Sequence, residues 1–219
     1  MPTVTSLSSL HLSTSMRSFR AEKISHFVHY LVAGQSEQAN QYAIEFNQKF
    51  PLLITRDLDK AKNWIRERCR GTERSGLIAS SGAKRLKAEG VFVHQEIDPK
   101  NWFLNEPDDV RSSNYLEDAA SEFVVQGLEL DWCLVGWDAD YRYYGGEFCY
   151  WRFKGTKWQN RKKEEDKRFL ENVYRVLLTR ARQGMIIFLP SGDKSDETRL
   201  PEFYDGTYEY LLSCGLKEL

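Results

Sequence analysis

Asn172-Val-Tyr-Arg-Val-Leu-Leu-Thr-Arg-Ala-Arg-Gln-Gly-Met-Ile-Ile-Phe-Leu-Pro190 reads as a helix that turns into a strand. Phe169, Val173, Val176, Leu177 and Ala181 recur at helical spacing, which puts them on one apolar face. Gly184 falls where a helix C-cap glycine is expected. Met185 to Leu189 is then a short, wholly apolar run, the pattern of a buried parallel strand. Arg180 breaks the pattern: three residues after Leu177, it is expected to lie along the buried face. An arginine so placed needs an anion. Two ordinary arrangements would also suit it: the negative end of the helix dipole, or a neighbouring acid.

Outward from this stretch the chain alternates strands and helices. Pro51 to Thr55 and Gly76 to Ala79 are strand-like, and Trp132 to Trp137 is a third such run. Between them, Asp57 can cap a helix with Leu58, Ala61, Ile65 and Cys69 on one face. Upstream, Ile24, Phe27, Val28 and Leu31 form one helical stripe, and Ala39, Tyr42, Ala43 and Phe46 a second, over a helix from Glu37 to Lys49. Leu10 to Leu12 and Val91 to Val93 are short strand candidates, and Phe203, Tyr208, Leu211 and Leu212 fit a closing helix. Asp98 to Asn114 reads as a connecting loop. Strand, helix, strand in repetition predicts an α/β fold with a mostly parallel sheet and crossover helices.

The composition bounds the function. A chain of 219 residues makes one large domain, or one with a small appendage. The net charge of -1 argues against a globally basic nucleic-acid binder, so any such surface must be local. No apolar run approaches a membrane span. Cys69, Cys133, Cys149 and Cys214 form no CxxC pair and no His/Cys cluster, so they read as reduced thiols of a cytoplasmic protein and not as a metal site. The Ser/Thr-rich first twenty residues mimic a transit peptide but lack the apolar core of a secretory signal, and read as structure.

Several stretches carry candidate chemistry. Arg17 and Arg20 extend the first helical stripe backwards to a helix N-terminus, where arginines oppose the dipole: either an anion sits there, or the two are ordinary solvated arginines. Gly76 to Lys84 looks like a phosphate loop but fails its spacing: five residues separate Gly76 from Gly82, and Ala83 precedes Lys84. What remains is a strand-end loop with Ser80, Ser81, Lys84 and Arg85, residue types suited to a nucleic-acid backbone and equally to an ordinary solvated loop. Asp138 and Asp140, with Glu147, are an acidic set that could hold Mg²⁺ in a nuclease, although no lysine or histidine accompanies them in a nuclease-like arrangement. Tyr141 to Trp158 is crowded with aromatics and leads into a basic run, Lys154 to Arg168. That combination suits single-stranded nucleic acid, and equally a hairpin packed on a sheet; the structural account is preferred for the aromatics, the basic run being kept as a backbone contact.

Leu177-Leu-Thr-Arg-Ala181 before an apolar strand resembles the last motif of superfamily 1 helicases, and the longer string Tyr174 to Gly184 is closer still to the Schlafen-like DNA/RNA helicase family. Gln126-Gly-Leu-Glu129 resembles that family's Lys/Gln-Gly-Leu-Glu motif, and Ser13 to Arg20 its Ser/Asn-x-Arg-Ser segment. Pro201 to Leu211 is similar to the end of the same domain, so the resemblance runs from about Leu10 to the C-terminus. It implies a RecA-like three-layer α/β sandwich with a mostly parallel sheet, the second helicase domain, as a single domain over 1–219 with an aromatic and basic insertion around 139–168. It also implies roles. Arg180 and Arg17 would be catalytic, reaching the ATP phosphates. Glu129, Gly127, Gln126 and Arg20 would contact the nucleotide. Ser121, in the place of the family's threonine, would join Ser80, Ser81, Lys84 and Arg85 on nucleic-acid phosphates. Phe123 stands where the broader helicase pattern has histidine, and Gln126 where it more often has lysine.

The family's P-loop and Mg²⁺-binding motif belong to a first RecA-like domain, and neither string is in this sequence. The expectation is therefore a half-site. It is inactive alone, binds ATP and Mg²⁺ only when completed by a P-loop domain in cis or trans, and has single-stranded DNA or RNA as partner. The alternative is a degenerate RecA-like module that binds nucleic acid or a protein without ATP chemistry.

Overall fold

The computed structural model describes residues 19–46, 49–94 and 96–219. Two helices lead: α1 (Phe19–Val32) and α2 (Ser36–Phe46). There follow β1 (Leu52–Thr55), α3 (Leu58–Arg68), β2 (Ser75–Ala79), β3 (Phe92–His94), α4 (Pro99–Leu104), β4 (Asp118–Ala120), α5 (Glu122–Val125) and β5 (Leu130–Gly136). A three-stranded antiparallel sheet comes next, with β6 (Tyr141–Tyr144), β7 (Glu147–Lys154) and β8 (Lys157–Asn160). The chain closes with α6 (Glu164–Leu178), β9 (Ala181–Phe188), α7 (Asp205–Ser213) and β10 (Lys217–Glu218). Leu10 to Leu12 and Arg17 lie outside the described residues.

Among the described residues the main sheet has seven strands in the order β10-β1-β9-β5-β2-β4-β3, and every pairing is parallel. Its two faces are read directly from the strands' alternation. Leu52, Ile54, Ile78, Cys133, Val135, Met185 and Ile187 pack under α1, α2, α6 and α7. Leu77, Ala79, Leu134, Ile186 and Phe188 turn the other way, onto Ala61, Trp64 and Ile65 of α3. With both faces covered, β2 is buried along its whole length and β9 from Gly184 to its end, and their sequences are accordingly apolar runs. The α/β/α three-layer sandwich expected of the chain is the one observed. Among the described residues, no helix is long and apolar enough to cross a membrane.

Local signals explain several boundaries. Asp57 caps α3, its side chain accepting from the Lys60 amide at 2.9 Å. Ile24, Phe27, Val28 and Leu31 are all buried, as their spacing requires. Three readings need correction. Gly184 is no helix cap: α6 already ends at Leu178, and Gly184 lies inside β9, where a Cβ would meet the Trp132 ring at 2.7 Å and Pro51 at 2.8 Å. It is a strand glycine at a close approach. Phe169 lies off the buried stripe of α6 and is 47% exposed, while Leu170, Val173, Tyr174, Leu177 and Leu178 form the buried face. Asp98 to Asn114 is more than a loop: it contains α4, capped by Asp98, whose Trp102 is fully buried.

The small antiparallel sheet is fastened by aromatic rings. Tyr141 stacks on Phe148 at 4.1 Å between centroids, and Trp137 meets Tyr174 of α6 at 4.3 Å. The Tyr141 hydroxyl donates to the Val32 carbonyl at 2.6 Å, and Trp137 Nε1 to the Tyr141 carbonyl at 2.7 Å. These rings are structural, in line with the preferred reading of Tyr141 to Trp158.

Candidate functional site

The predicted site residues fall on the two opposite edges of the sheet. At the amino edge, β5 and β9 start side by side. Leu130 pairs with Ala181, and the Leu130 amide donates to the Arg180 carbonyl at 3.0 Å. The Gln126–Glu129 segment therefore lies next to Arg180, because each immediately precedes one of two adjacent parallel strands. The Arg180 guanidinium crosses the gap. Its Nη1 donates to the Leu128 carbonyl at 3.1 Å, its Nε returns to the Val176 carbonyl at 3.0 Å, and its Nη2 reaches Thr179 Oγ1 at 3.2 Å. Half-buried, the side chain is thus oriented by carbonyls of the α6 end and of the Gly-Leu-Glu turn.

Glu129 is exposed and within 3.8 Å of Arg182. Gln126 is exposed as well. Gly127 has a φ of +86° with open space where a Cβ would be, so the left-handed backbone and not crowding selects glycine here. Arg20 falls in the first turn of α1, and its side chain lies outside the described part, as does Arg17 altogether. Of the nucleotide set, then, the fold brings together Arg180, Gly127, Glu129 and Gln126.

The carboxyl edge gathers the other set, around two buried carboxylates. Asp140 accepts from Ser80 Oγ at 2.8 Å and from the Tyr174 hydroxyl at 2.6 Å. Asp138 accepts from the amides of Ala139 at 2.7 Å and Arg85 at 2.9 Å, and from the Tyr204 hydroxyl at 3.3 Å. Burial and then the neighbouring Asp138 charge push the Asp140 carboxyl up to about 7, and burial raises Asp138 too. Glu147, by contrast, is exposed at the start of β7. Among the described residues no three His, Cys, Asp or Glu side chains are grouped to hold a metal ion. Asp138 and Asp140 act as internal acceptors that organise the strand-end loops.

The expected phosphate-gripping residues divide accordingly. Ser80 is 1% exposed and spends its hydroxyl on Asp140. Ser81 is clamped by Glu122, which accepts from its amide at 2.8 Å and its hydroxyl at 2.7 Å. Arg85 pairs with Asp196 at 2.7 Å and lies over the Phe153 ring. Ser121 is buried at the start of α5. Only Lys84 of the five is exposed. It lines a cavity of about 450 Å³ together with Arg152, Lys154 and Arg161. Those three cations were not singled out by sequence, although the basic run from Lys154 contained two of them.

Comparison with known proteins bears on the family of the chain. No curated protein matches the chain. Among solved structures, the chain is similar to one described as the C-terminal domain of a possible DNA helicase from Lactobacillus plantarum WCFS1, with 14% identity, coverage of 87% of this chain and 98% of that one, and a TM-score of 0.39. The family model for the Schlafen group 3, DNA/RNA helicase domain matches residues 3–191. By that match, which takes in both sheet edges and all but the last elements of the fold, the chain belongs to the Schlafen group 3 DNA/RNA helicase domain family.

Proposed function

We propose that this chain is the second RecA-like half of an ATP-driven DNA or RNA helicase motor. Its amino edge faces the nucleotide and its carboxyl edge faces the nucleic acid. The observation that carries the reading is the convergence of Arg180 with Gly127 and Glu129 at the start of two adjacent parallel strands. ATP with Mg²⁺, when held by a P-loop half in cis or trans, supplies the phosphoryl chemistry. Arg180 then presents a fixed, permanently charged donor to the phosphoryl oxygens, as an arginine finger does. Glu129 accepts from ribose hydroxyls, and Gly127 leaves room for the nucleotide beside its backbone. Arg17 and Arg20 are assigned to the same cleft on the family resemblance.

Arg180 is already oriented by the Val176 and Leu128 carbonyls, so it does not have to be ordered when charge develops on the phosphoryl group. A degenerate binding module would keep the same hydrogen bonds for structural reasons alone, so the two readings part on turnover. The test is reconstitution. The purified chain is assayed for ATP hydrolysis alone and after addition of the P-loop half from the same source, with single-stranded DNA or RNA present. Turnover only in the mixture supports the half-site. Turnover by the chain alone, unchanged by Arg180→Ala, would sink it.

A further inference from the structure

The cavity at the carboxyl edge is lined by Lys84, Arg152, Lys154 and Arg161 and, among the described residues, by no carboxylate. It lies between the loop after β2, the β7–β8 hairpin and the first turns of α6. Arg161 is held at its lip by Nε donation to the Trp151 carbonyl at 3.0 Å. Lys84, Arg152 and Lys154 are exposed, and among the described residues their side chains have no ion pair or hydrogen bond. The hairpin adds a further like charge: Lys154 stands directly opposite Lys157 in the β7–β8 register. Like charges facing across a ladder are unfavourable, and a polyanion in the concavity offsets that repulsion.

Beside the cations is an aromatic shelf. Phe169 lines the cavity rim at 47% exposure, and Phe123 of α5 is 64% exposed. Their ring centroids are 6.4 Å apart with planes 31° from parallel. Two large apolar rings that touch each other in solvent are not core residues, and their faces are the size of a nucleobase. Cations in a groove with adjacent ring faces are the two features that hold a single strand, phosphates on one and unpaired bases on the other. A duplex keeps its bases stacked inside and offers nothing to the shelf.

We propose that this surface is a single-strand subsite: phosphates sit in the basin of Lys84, Arg152, Lys154 and Arg161, and bases stack on Phe123 and Phe169. It deepens the motor reading and rests on it only in that the chain engages nucleic acid. Four of its six residues come from the hairpin insertion and α6, outside the helicase-like motifs.

The test compares the intact chain with Arg152→Gln/Lys154→Gln and with Phe123→Ala/Phe169→Ala, all at exposed positions, their folding checked by circular dichroism. Probes are fluorescein-labelled oligothymidylate and oligouridylate, a duplex of equal length, and inorganic tripolyphosphate as competitor. The wild type should prefer either single strand over the duplex. The charge variant should bind more weakly, and its salt slope should fall by about 0.7 per lost phosphate contact. The aromatic variant should lose about 5- to 100-fold in single-strand affinity with its salt slope unchanged. Equal binding by all three proteins, or preference for duplex, overturns the subsite. So does displacement by tripolyphosphate with no effect of the aromatic changes, which would make the basin a general polyanion site. ATP turnover that fails on reconstitution while these binding differences hold would overturn the motor reading alone.

Discussion

The Tyr174 hydroxyl donates to Asp140 Oδ1 at 2.6 Å, with both side chains fully buried. The bond ties α6, whose end carries Arg180, to the loop that closes β5, and Ser80 adds the end of β2 through the other carboxylate oxygen at 2.8 Å. It also buries an ionisable group whose proton affinity differs between folded and unfolded chains.

That difference predicts a pH dependence. Burial, then Asp138, raises the Asp140 carboxyl to about 7 from the ordinary 3.8. Between those values the folded chain holds a proton that the unfolded chain has released, so stability falls as pH rises. The contribution is complete below about 3.8 and lost by about 7. Urea unfolding at a series of pH values from 5 to 8 should show this decline, at up to about 1.4 kcal/mol per pH unit for one proton. Asp140→Asn should make it shallower, leaving the share of Asp138, whose carboxyl is also raised by burial. An Asn variant with the wild-type slope would place the titration elsewhere.

In the reconstituted pair, Arg180→Ala should lower kcat by about a thousandfold or more, the scale of a lost arginine finger. Nucleotide affinity should fall less, because the interaction strengthens in the transition state. Steady-state kinetics with separately measured nucleotide binding distinguishes the two. A loss confined to affinity would make Arg180 a binding residue only.

Gly184→Val should destabilise the fold by about 1–3 kcal/mol through overpacking. A Cβ at this position already meets Trp132 at 2.7 Å and Pro51 at 2.8 Å, both parts of a close-packed sheet face. The urea midpoint reads it directly. A neutral result would mean the neighbouring ring and proline move aside without cost.

Trp102→Ala should cost about 3–5 kcal/mol, the range for removing a large buried ring. The indole fills the space above Gly76, lying 2.8 Å from where a Cβ would stand, and its Nε1 donates to the Asp118 carbonyl at 3.3 Å. Thermal or chemical unfolding of the variant measures the loss. A change below about 1 kcal/mol would show that α4 is dispensable to the core.

By itself the sequence determined the architecture. Runs such as Met185 to Phe188 and Gly76 to Ala79 are too uniformly apolar for a one-sided sheet, and the intervening 3.6-residue stripes supply helices to cover both faces. It also determined that Gln126–Glu129 and Arg180 precede strands, which is why a local motif could be recognised at each. Tertiary structure alone decided that these two strands are neighbours, since pairing across about fifty residues depends on the packing of every element between them. It likewise decided which polar groups are consumed. Ser80, Ser81 and Arg85 share a loop with Lys84 and look equivalent in a string of letters. Asp140, Glu122 and Asp196 bind the first three from distant parts of the chain and leave Lys84 exposed. Gly184, Phe169 and the stretch Asp98 to Asn114 depart from their local patterns for the same reason: a cap, a core position and a loop are local patterns, whereas close approach, exposure and burial are set by what arrives from elsewhere.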